Sequence, residues 1–406
     1  MEKLEEEERL VRLEDFLIYC WFQKVSGLIP FYWARDPTNP QRLINTTQMG
    51  FLRLGILSVA YFFFNGFGFL ITSYLGVPSN QNPPIFSISL YFNLRGLSLY
   101  LKRDQIVRFI CALDRESAKN LSEQEELQLR EVYEAYKKRY LIVSIYSHAS
   151  LVFFCCLPLG FYFLTNEGPD DYITLDQQLL AGWLPFNMRQ NHHLYMVCWT
   201  YDMLCTVCGI SFFISFDMLF YVMQRQLIMH FDTLTRQISA IDARDSLVLG
   251  EEDFGFYAKI YRLASRHQHL NDLCGMYNEI FKAALLVGNF VCATSICLHL
   301  YLITETTDLF KIFQFLFPTL ALLGFTFDLC LRGTQLEEAS GRLQTALYNQ
   351  NWYMGSRKYR KLMILWLQFA QCTQKLDAYG LIQVNIVHFT DLLQLAYRLF
   401  TFLKSQ

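Results

Sequence analysis

The chain has 406 residues, 53% of them hydrophobic and 16% aromatic, and a formal net charge of −2 at pH 7. Its mean hydropathy is positive, and its apolar blocks approach the roughly 20 residues that a helix needs to cross a bilayer, which places the chain in a membrane. Near-neutral charge leaves no electrostatic footprint for a nucleic-acid partner or a bulk acidic ligand.

The N-terminal arm, residues 1–48, opens on the solvated acidic run Glu5 to Glu8. No positive region followed by a short apolar core and a cleavage site is found there, so no signal peptide is expected. Phe16 to Phe31, with Trp21, Gly27 and Pro30, is too short to cross and reads as an interfacial or re-entrant helix.

Seven apolar segments follow, at about 49–75, 85–101, 140–164, 194–223, 280–304, 309–332 and 380–403. An odd number puts the termini on opposite sides. The connection after the second segment carries Lys102, Arg103, Arg108, Arg115, Lys137, Lys138 and Arg139, and later even-to-odd connections carry Arg225, Arg236, Arg262, Arg266, Arg357, Lys358, Arg360 and Lys361. Loops 76–84, 165–193 and 305–308 hold only Arg189 between them. Because Lys and Arg concentrate in cytosolic loops, the N-terminus is expected inside and the C-terminus outside. The sequons at Asn45 and Asn120 then face the cytosol and should carry no sugar.

The connections 102–139, 224–279 and 333–379 are long and read as charged helix extending the spans. Two readings stand: plain solvated helices, or a packed intracellular anchor where subunits meet. Leu227, Phe231, Leu234 and Ile238 recur at helical spacing and favour the second, since a solvated helix would leave them wet.

Of the twelve cysteines, Cys155, Cys156, Cys198, Cys205, Cys208, Cys292, Cys297 and Cys330 fall inside predicted spans and none in a predicted outside loop, so cysteine reads as a packing residue. His192-His193 has no third ligand nearby in sequence and reads as an interfacial polar pair rather than a metal site. No nucleophile, metal or phosphate-cradling constellation supports an enzyme, and no cofactor is implied.

The last span is polar on one side. At 100° per residue, Gln383, His388, Asp391, Gln394 and Arg398 share an arc of about 140°, with Ile382, Ile386, Phe389, Leu393, Ala396, Tyr397 and Phe400 opposite. Ionisable groups at membrane depth normally face an aqueous cavity or a bundle interior. Asp391 therefore either lines a pore or pairs within the protein, for instance with Arg398.

Gly333, Ser340 and Tyr348, then Asn351-Trp352-Tyr353, the basic Arg357-Lys358-Tyr359-Arg360-Lys361, an apolar run Leu362 to Leu367, and Gly380 before a span with Phe389 and Tyr397 occur in an order and spacing that resembles the insect odorant receptors. The Gly27/Pro30 element and Asn278-Glu279-Ile280-Phe281 resemble that family more weakly, and Tyr397-Arg398 stands where the family often has Tyr-Ser.

The resemblance implies an all-α, seven-transmembrane subunit of a tetrameric cation channel: an arm over 1–48, six spans with an outer-half pocket over 49–332, and an anchor helix with a pore-lining last span over 333–406. It implies a small volatile odorant as ligand and the odorant receptor co-receptor as partner in the plasma membrane. The chain lacks the long second-connection insertion of the co-receptor, so it resembles a ligand-selective partner. Carried over, Gln383, Asp391 and Gln394 are pore-facing candidates, and Phe402 and Leu403 are candidates for an apolar constriction that gates by dewetting. Trp352 and Tyr353 are assembly candidates. Pocket candidates are Phe86, Tyr91, Phe154, Trp199, Met203 and Phe313, with Ser150 or Thr200 as polar handles, in a cavity that binds mainly by apolar burial.

A G-protein-coupled receptor has the opposite charge asymmetry, an Asp-Arg-Tyr after its third span and an Asn-Pro-x-x-Tyr in its last, none of which is present. A gustatory-type receptor shares the topology but usually shows a Thr-Tyr…Gln-Phe pattern in the last span, which is absent. The internal repeats and broken spans of a transporter are not seen either.

Overall fold

The computed structural model describes residues 83–120, 122–165, 191–248, 254–307 and 309–405, with helical positions Ile56, Val59, Ala60, Phe63, Gly66, Phe67, Leu70 and Tyr74 before them. The helix expected over 16–31, the Asn45 sequon, most of the first span and loops 76–82 and 166–190 lie outside these residues.

Among the described residues five long helices dominate: α1 (Pro83–Asn120), α2 (Glu123–Thr165), α3 (His192–Ser239), then after the single turn α4 (Asp245–Val248), α5 (Phe254–Glu305) and α6 (Leu309–Tyr348). A 3₁₀ turn (Trp352–Met354) leads to α7 (Arg357–Ala370), a hairpin of β1 (Asp377–Ala378) and β2 (Ile382–Gln383), and α8 (Ile386–Lys404). By length and composition α3, α5 and α6 are each apolar enough to cross a membrane. The spans expected at 85–101 and 140–164 fall in α1 and α2, and the one expected at 380–403 overlaps α8 from Ile386 onward.

Each long helix outruns the bilayer. The 52 residues of α5 extend about 78 Å at about 1.5 Å per residue, against roughly 30 Å of hydrocarbon. The charged connections are thus continuations of the spans, and the chain reverses sharply between them. At the α1–α2 reversal the Ser122 backbone N–H donates to Glu125 Oε2 at 2.9 Å, the reciprocal half of a capping box. Asn191 caps α3 through the Leu194 N–H, Ser356 caps α7 through that of Tyr359, and Asn385 caps α8 through that of His388.

The core runs along α3. From Gly209 to Leu234 every residue except Tyr221, Arg225 and Asp232 is buried, whereas the first turns of the helix alternate between buried and exposed. α1, α2, α5 and α6 all pack on it. Leu227, Phe231, Leu234 and Ile238 are fully buried inside one subunit. They are packed rather than wet, as their spacing suggests, and it is neighbouring helices of the same chain that cover them.

Several buried polar groups at this end of the bundle, the base, form a paired network. The Arg266 guanidinium donates through Nε to Glu116 at 2.8 Å and through Nη1 to Gln237 at 2.9 Å, with His230 Nδ1 3.4 Å from Nη2. His230 Nε2 lies 3.1 Å from Ser117 Oγ, which also accepts from Gln226. Trp366 of α7 donates its indole N–H to His267 Nδ1 at 3.1 Å. Both histidines lie outside the apolar spans. Burial, with Arg266 and His269 adding to it, pushes His230 down to about 3, and burial pushes His267 down to about 4.

Candidate functional site

The last helix is held by a clasp that precedes it. In the hairpin, Asp377 pairs with Gln383 and Ala378 with Ile382. Its turn places Tyr379 and Gly380 at φ 58° and 69°, and the Leu381 N–H donates to Ala378 O at 3.1 Å, a turn of the kind that right-twisted strands require. Asn278 of α5 accepts from the Asp377 N–H at 3.0 Å, and Glu337 of α6 accepts from Gln383 Nε2 at 3.2 Å. Thr334 Oγ1 accepts from the Ile386 N–H, the first of α8. Gly333 lets the chain after β2 lie directly on α6: a Cβ there would stand 1.8 Å from Val384 O. This gives the Gly333 position of the motif a steric cause.

α8 therefore starts at Ile386 rather than near 380, which corrects two expectations. Gln383 sits on β2, hydrogen-bonded to Glu337, not on the helical arc. His388 turns inward, its Nε2 2.7 Å from Asn289 Oδ1 of α5. The remaining three polar positions do share a face: Asp391, Gln394 and Arg398 are exposed, beside Val387, Thr390 and Thr401, while Leu392 and Ala396 are buried. No ion pair joins Asp391 to Arg398. Phe402 is 59% exposed and Leu403 half-buried.

Among the pocket candidates, Tyr91 is buried, Trp199 and Met203 are half-buried against the core, and Trp199 Nε1 is enclosed without a hydrogen-bond partner. Thr200 is exposed and donates to Met196 O at 2.8 Å, and Ser150 donates to Tyr146 O at 2.6 Å, so both hydroxyls are engaged within their own helices. Phe313 points outward at 65% exposure, on the opposite side of α6 from the buried Phe315. Phe86 and Phe154 lie in α1 and α2, their side chains outside the described residues. Around Tyr91 the sequence reading missed Phe92 and Phe213, with ring centroids 4.9 Å apart, and Arg95, whose guanidinium lies 4.2 Å from the Tyr91 ring centre. An Arg inside the span at 85–101 was the available signal, because ionisable groups at membrane depth mark sites.

At that end of the bundle Tyr162 stacks on Tyr195 at 4.4 Å, and its hydroxyl lies 2.6 Å from His192 Nδ1, tying α2 to the start of α3. His193 is exposed. Further toward the base, Arg139 of α2 donates to Asp328 of α6 at 2.6 Å and to Asp217 of α3 at 3.4 Å. Arg332 also pairs with Asp328, and the Tyr221 ring lies 4.7 Å from the Arg139 guanidinium and 4.2 Å from that of Arg332. Acidic residues within the predicted fourth and sixth spans signalled this collar too.

The assembly candidates lie on the base. Trp352 is half-buried and Tyr353 56% exposed, their rings edge to face at 6.3 Å. What is buried in this segment is Gln350, whose Nε2 donates to Ile238 O at 2.6 Å and whose Oε1 accepts from the Tyr359 hydroxyl at 2.6 Å. α7 buries Tyr359, Met363, Trp366 and Ala370 and leaves Ile364, Leu365 and Phe369 exposed.

Residues 77–397 match the family model described as 7tm Odorant receptor. The chain is 48% identical to Odorant receptor 88a of Drosophila melanogaster over 394 residues, 97% of either protein, and 22% identical to Odorant receptor 67c of the same species over 92% of this chain and 91% of that protein. The insect olfactory receptor OR5 from Machilis hrabei, solved in complex with eugenol, superposes with a TM-score of 0.79 at 14% identity, covering 97% of this chain and 98% of that one. A second structure of OR5 superposes with a TM-score of 0.76 at 15% identity, covering 96% of this chain and 97% of that one. A family model over most of its length and a full-length relative at 48% identity show that the chain belongs to the insect odorant receptor family, multi-pass membrane receptors that sense small odorants.

Proposed function

We propose that the chain is the odorant-sensing subunit of a heteromeric ligand-gated cation channel, assembled with the odorant receptor co-receptor in the plasma membrane of a sensory neuron. The observation that carries this reading is the face of α8. On a largely apolar helix, Asp391, Gln394 and Arg398 are exposed at the surface of the subunit, where a lone protein in lipid would leave them against hydrocarbon. A central aqueous path shared with other subunits solvates them. Phe402 and Leu403 at the far end of the helix then form the apolar constriction.

The ligand occupies the aromatic cluster around Tyr91, Trp199 and Met203, held mainly by burial at roughly 25 cal/mol per Å² of apolar surface. The complex of OR5 with eugenol supports a small, largely apolar molecule as the class of ligand. The base forms the intracellular anchor, with Trp352, Tyr353 and the exposed apolar face of α7 meeting the neighbouring subunit. Recordings across an odour panel should give currents only when the chain is expressed with the co-receptor. Odour-evoked second-messenger signals without such currents would instead support a metabotropic receptor.

Orientation follows from the Lys and Arg distribution: base and N-terminus inside, C-terminus outside. An engineered sequon in the 165–193 loop should be glycosylated and native Asn45 should not. Sugar on Asn45 in intact cells would reverse the orientation.

A further inference from the structure

A cavity of ≈ 20 Å³ lies between α1, α5, α6 and the start of α8, lined in part by Tyr91, Arg95, Asn289, Cys292, Thr326 and His388. A site of about 10–15 Å³ already holds one water-sized particle. Arg95 is only 4% exposed. Its guanidinium lies over the rings of Tyr91, Phe213 and Phe216 at 4.2, 5.0 and 4.7 Å, and one Nη donates to the Tyr91 hydroxyl. Its Nε is buried and bonded to nothing. Among the described residues no carboxylate pairs with it, and Asp217 is paired with Arg139. Three π faces offset part of the cost of this charge but neutralise none of it.

Around the cavity Arg95, Tyr91 and Asn289 carry donors, while His388, which gives its Nε2–H to Asn289, keeps Nδ1 as an acceptor. Tyr91, having accepted from Arg95, keeps its own O–H to give. Asn289 Oδ1 is engaged by His388 Nε2, which leaves the amide N–H₂ as its remaining polar group. The Thr326 hydroxyl donates to Leu322 O at 2.7 Å and is spent. A cation without a carboxylate partner among the described residues, donor-bearing side chains in the lining and room for one particle select by sign as well as by size. A water molecule would satisfy Nε and leave the charge, whereas a halide would satisfy Nε and cancel it. We propose that this cavity is a binding site for a single small monovalent anion, a halide such as chloride, held by Arg95 with Tyr91 and Asn289. Bound there, the anion joins α1 to the α5–α8 contact and so lies between the aromatic cluster and the last helix.

The test uses the full-length chain purified in detergent with the subunits that accompany it. Its unfolding midpoint is measured in sodium chloride, bromide and gluconate at equal ionic strength, and retention of radioactive chloride is counted per chain. Halides at about a hundred-fold excess over the dissociation constant should raise the midpoint by roughly 3 °C over gluconate. Arg95→Gln should abolish that difference together with one retained chloride per chain, and Asn289→Leu should weaken it. If Arg95→Gln does not fold, the wild-type salt comparison and Asn289→Leu decide. Equal wild-type midpoints in chloride and gluconate, or a full halide response in Arg95→Gln or Asn289→Leu, would overturn the proposal in favour of a water.

Discussion

Glu116 with Arg266 at the base and Asp391 with Arg398 on α8 are the same residue types in opposite settings. The first pair is 5% and 4% exposed and meets at 2.8 Å, with Gln237 and His230 around the guanidinium. The second pair is exposed and unjoined. At the base a charge belongs to the scaffold, because its partner was desolvated along with it. On α8 the charges are left exposed and are not desolvated within the subunit, so the same substitution has different consequences in the two places.

Glu116→Ala should show the largest effect. It strands a buried guanidinium, a loss of about 3–5 kcal/mol, and should abolish surface expression; adding Arg266→Met should restore part of it. Wild-type expression of Glu116→Ala would mean that Arg266 finds water or another acceptor and that the base is wetter than it looks.

Acid should loosen the same region. His230 and His267 protonate near 3 and 4 when folded and near 6.5 when unfolded. Their contribution is therefore complete above about pH 6.5 and is lost as pH falls toward the folded values. Between pH 6.5 and 5 each should cost about 2 kcal/mol. The thermal midpoint should fall over that interval and fall less steeply in His267→Gln, and a flat profile would show that neither ring is held neutral.

The smallest effect on stability and the sharpest on function is expected from Asp391→Asn. An exposed substitution should move stability by no more than about 0.5 kcal/mol, while cation selectivity or divalent block of the channel changes and the odorant concentration dependence stays nearly constant. The double change with Arg398→Gln separates the readings. Altered selectivity in both variants supports the pore, whereas selectivity unchanged in both takes Asp391 off the conducting path.

The positions and characters of the helices were legible because apolar length and charge placement report on the solvent directly, and the polar face of α8 was legible from its 100° period at Asp391, Gln394 and Arg398. The clasp was not. Two-residue strands carry no periodicity, and β1 and β2 form because Asn278 and Glu337, 99 and 46 residues away from the groups they accept from, take up their donors. Once the helix starts at Ile386, Gln383 leaves the arc and His388 meets Asn289, neither of which a wheel drawn from 380 reveals. The stripe of Leu227, Phe231, Leu234 and Ile238 announced burial correctly but not by which neighbour, since spacing on one helix is silent about what covers it. Arg95, Asp217 and Asp328 were visible as charges in apolar segments, and only their three-dimensional pairing separates the collar residues from the unpaired guanidinium.

The collar has a mechanical meaning. Arg139, Asp217, Asp328 and Arg332, gathered around Tyr221, tie α2, α3 and α6 together at one level while the helices run on in both directions. Rods joined at one height behave as levers about a fulcrum: spreading their tips at the end opposite the base, with the joint intact, tilts their tails at the base the opposite way. A shift of the far ends by a fraction of an ångström is thus expected to be felt at the base as a rotation, with its amplitude set by the ratio of helix lengths on either side of Tyr221.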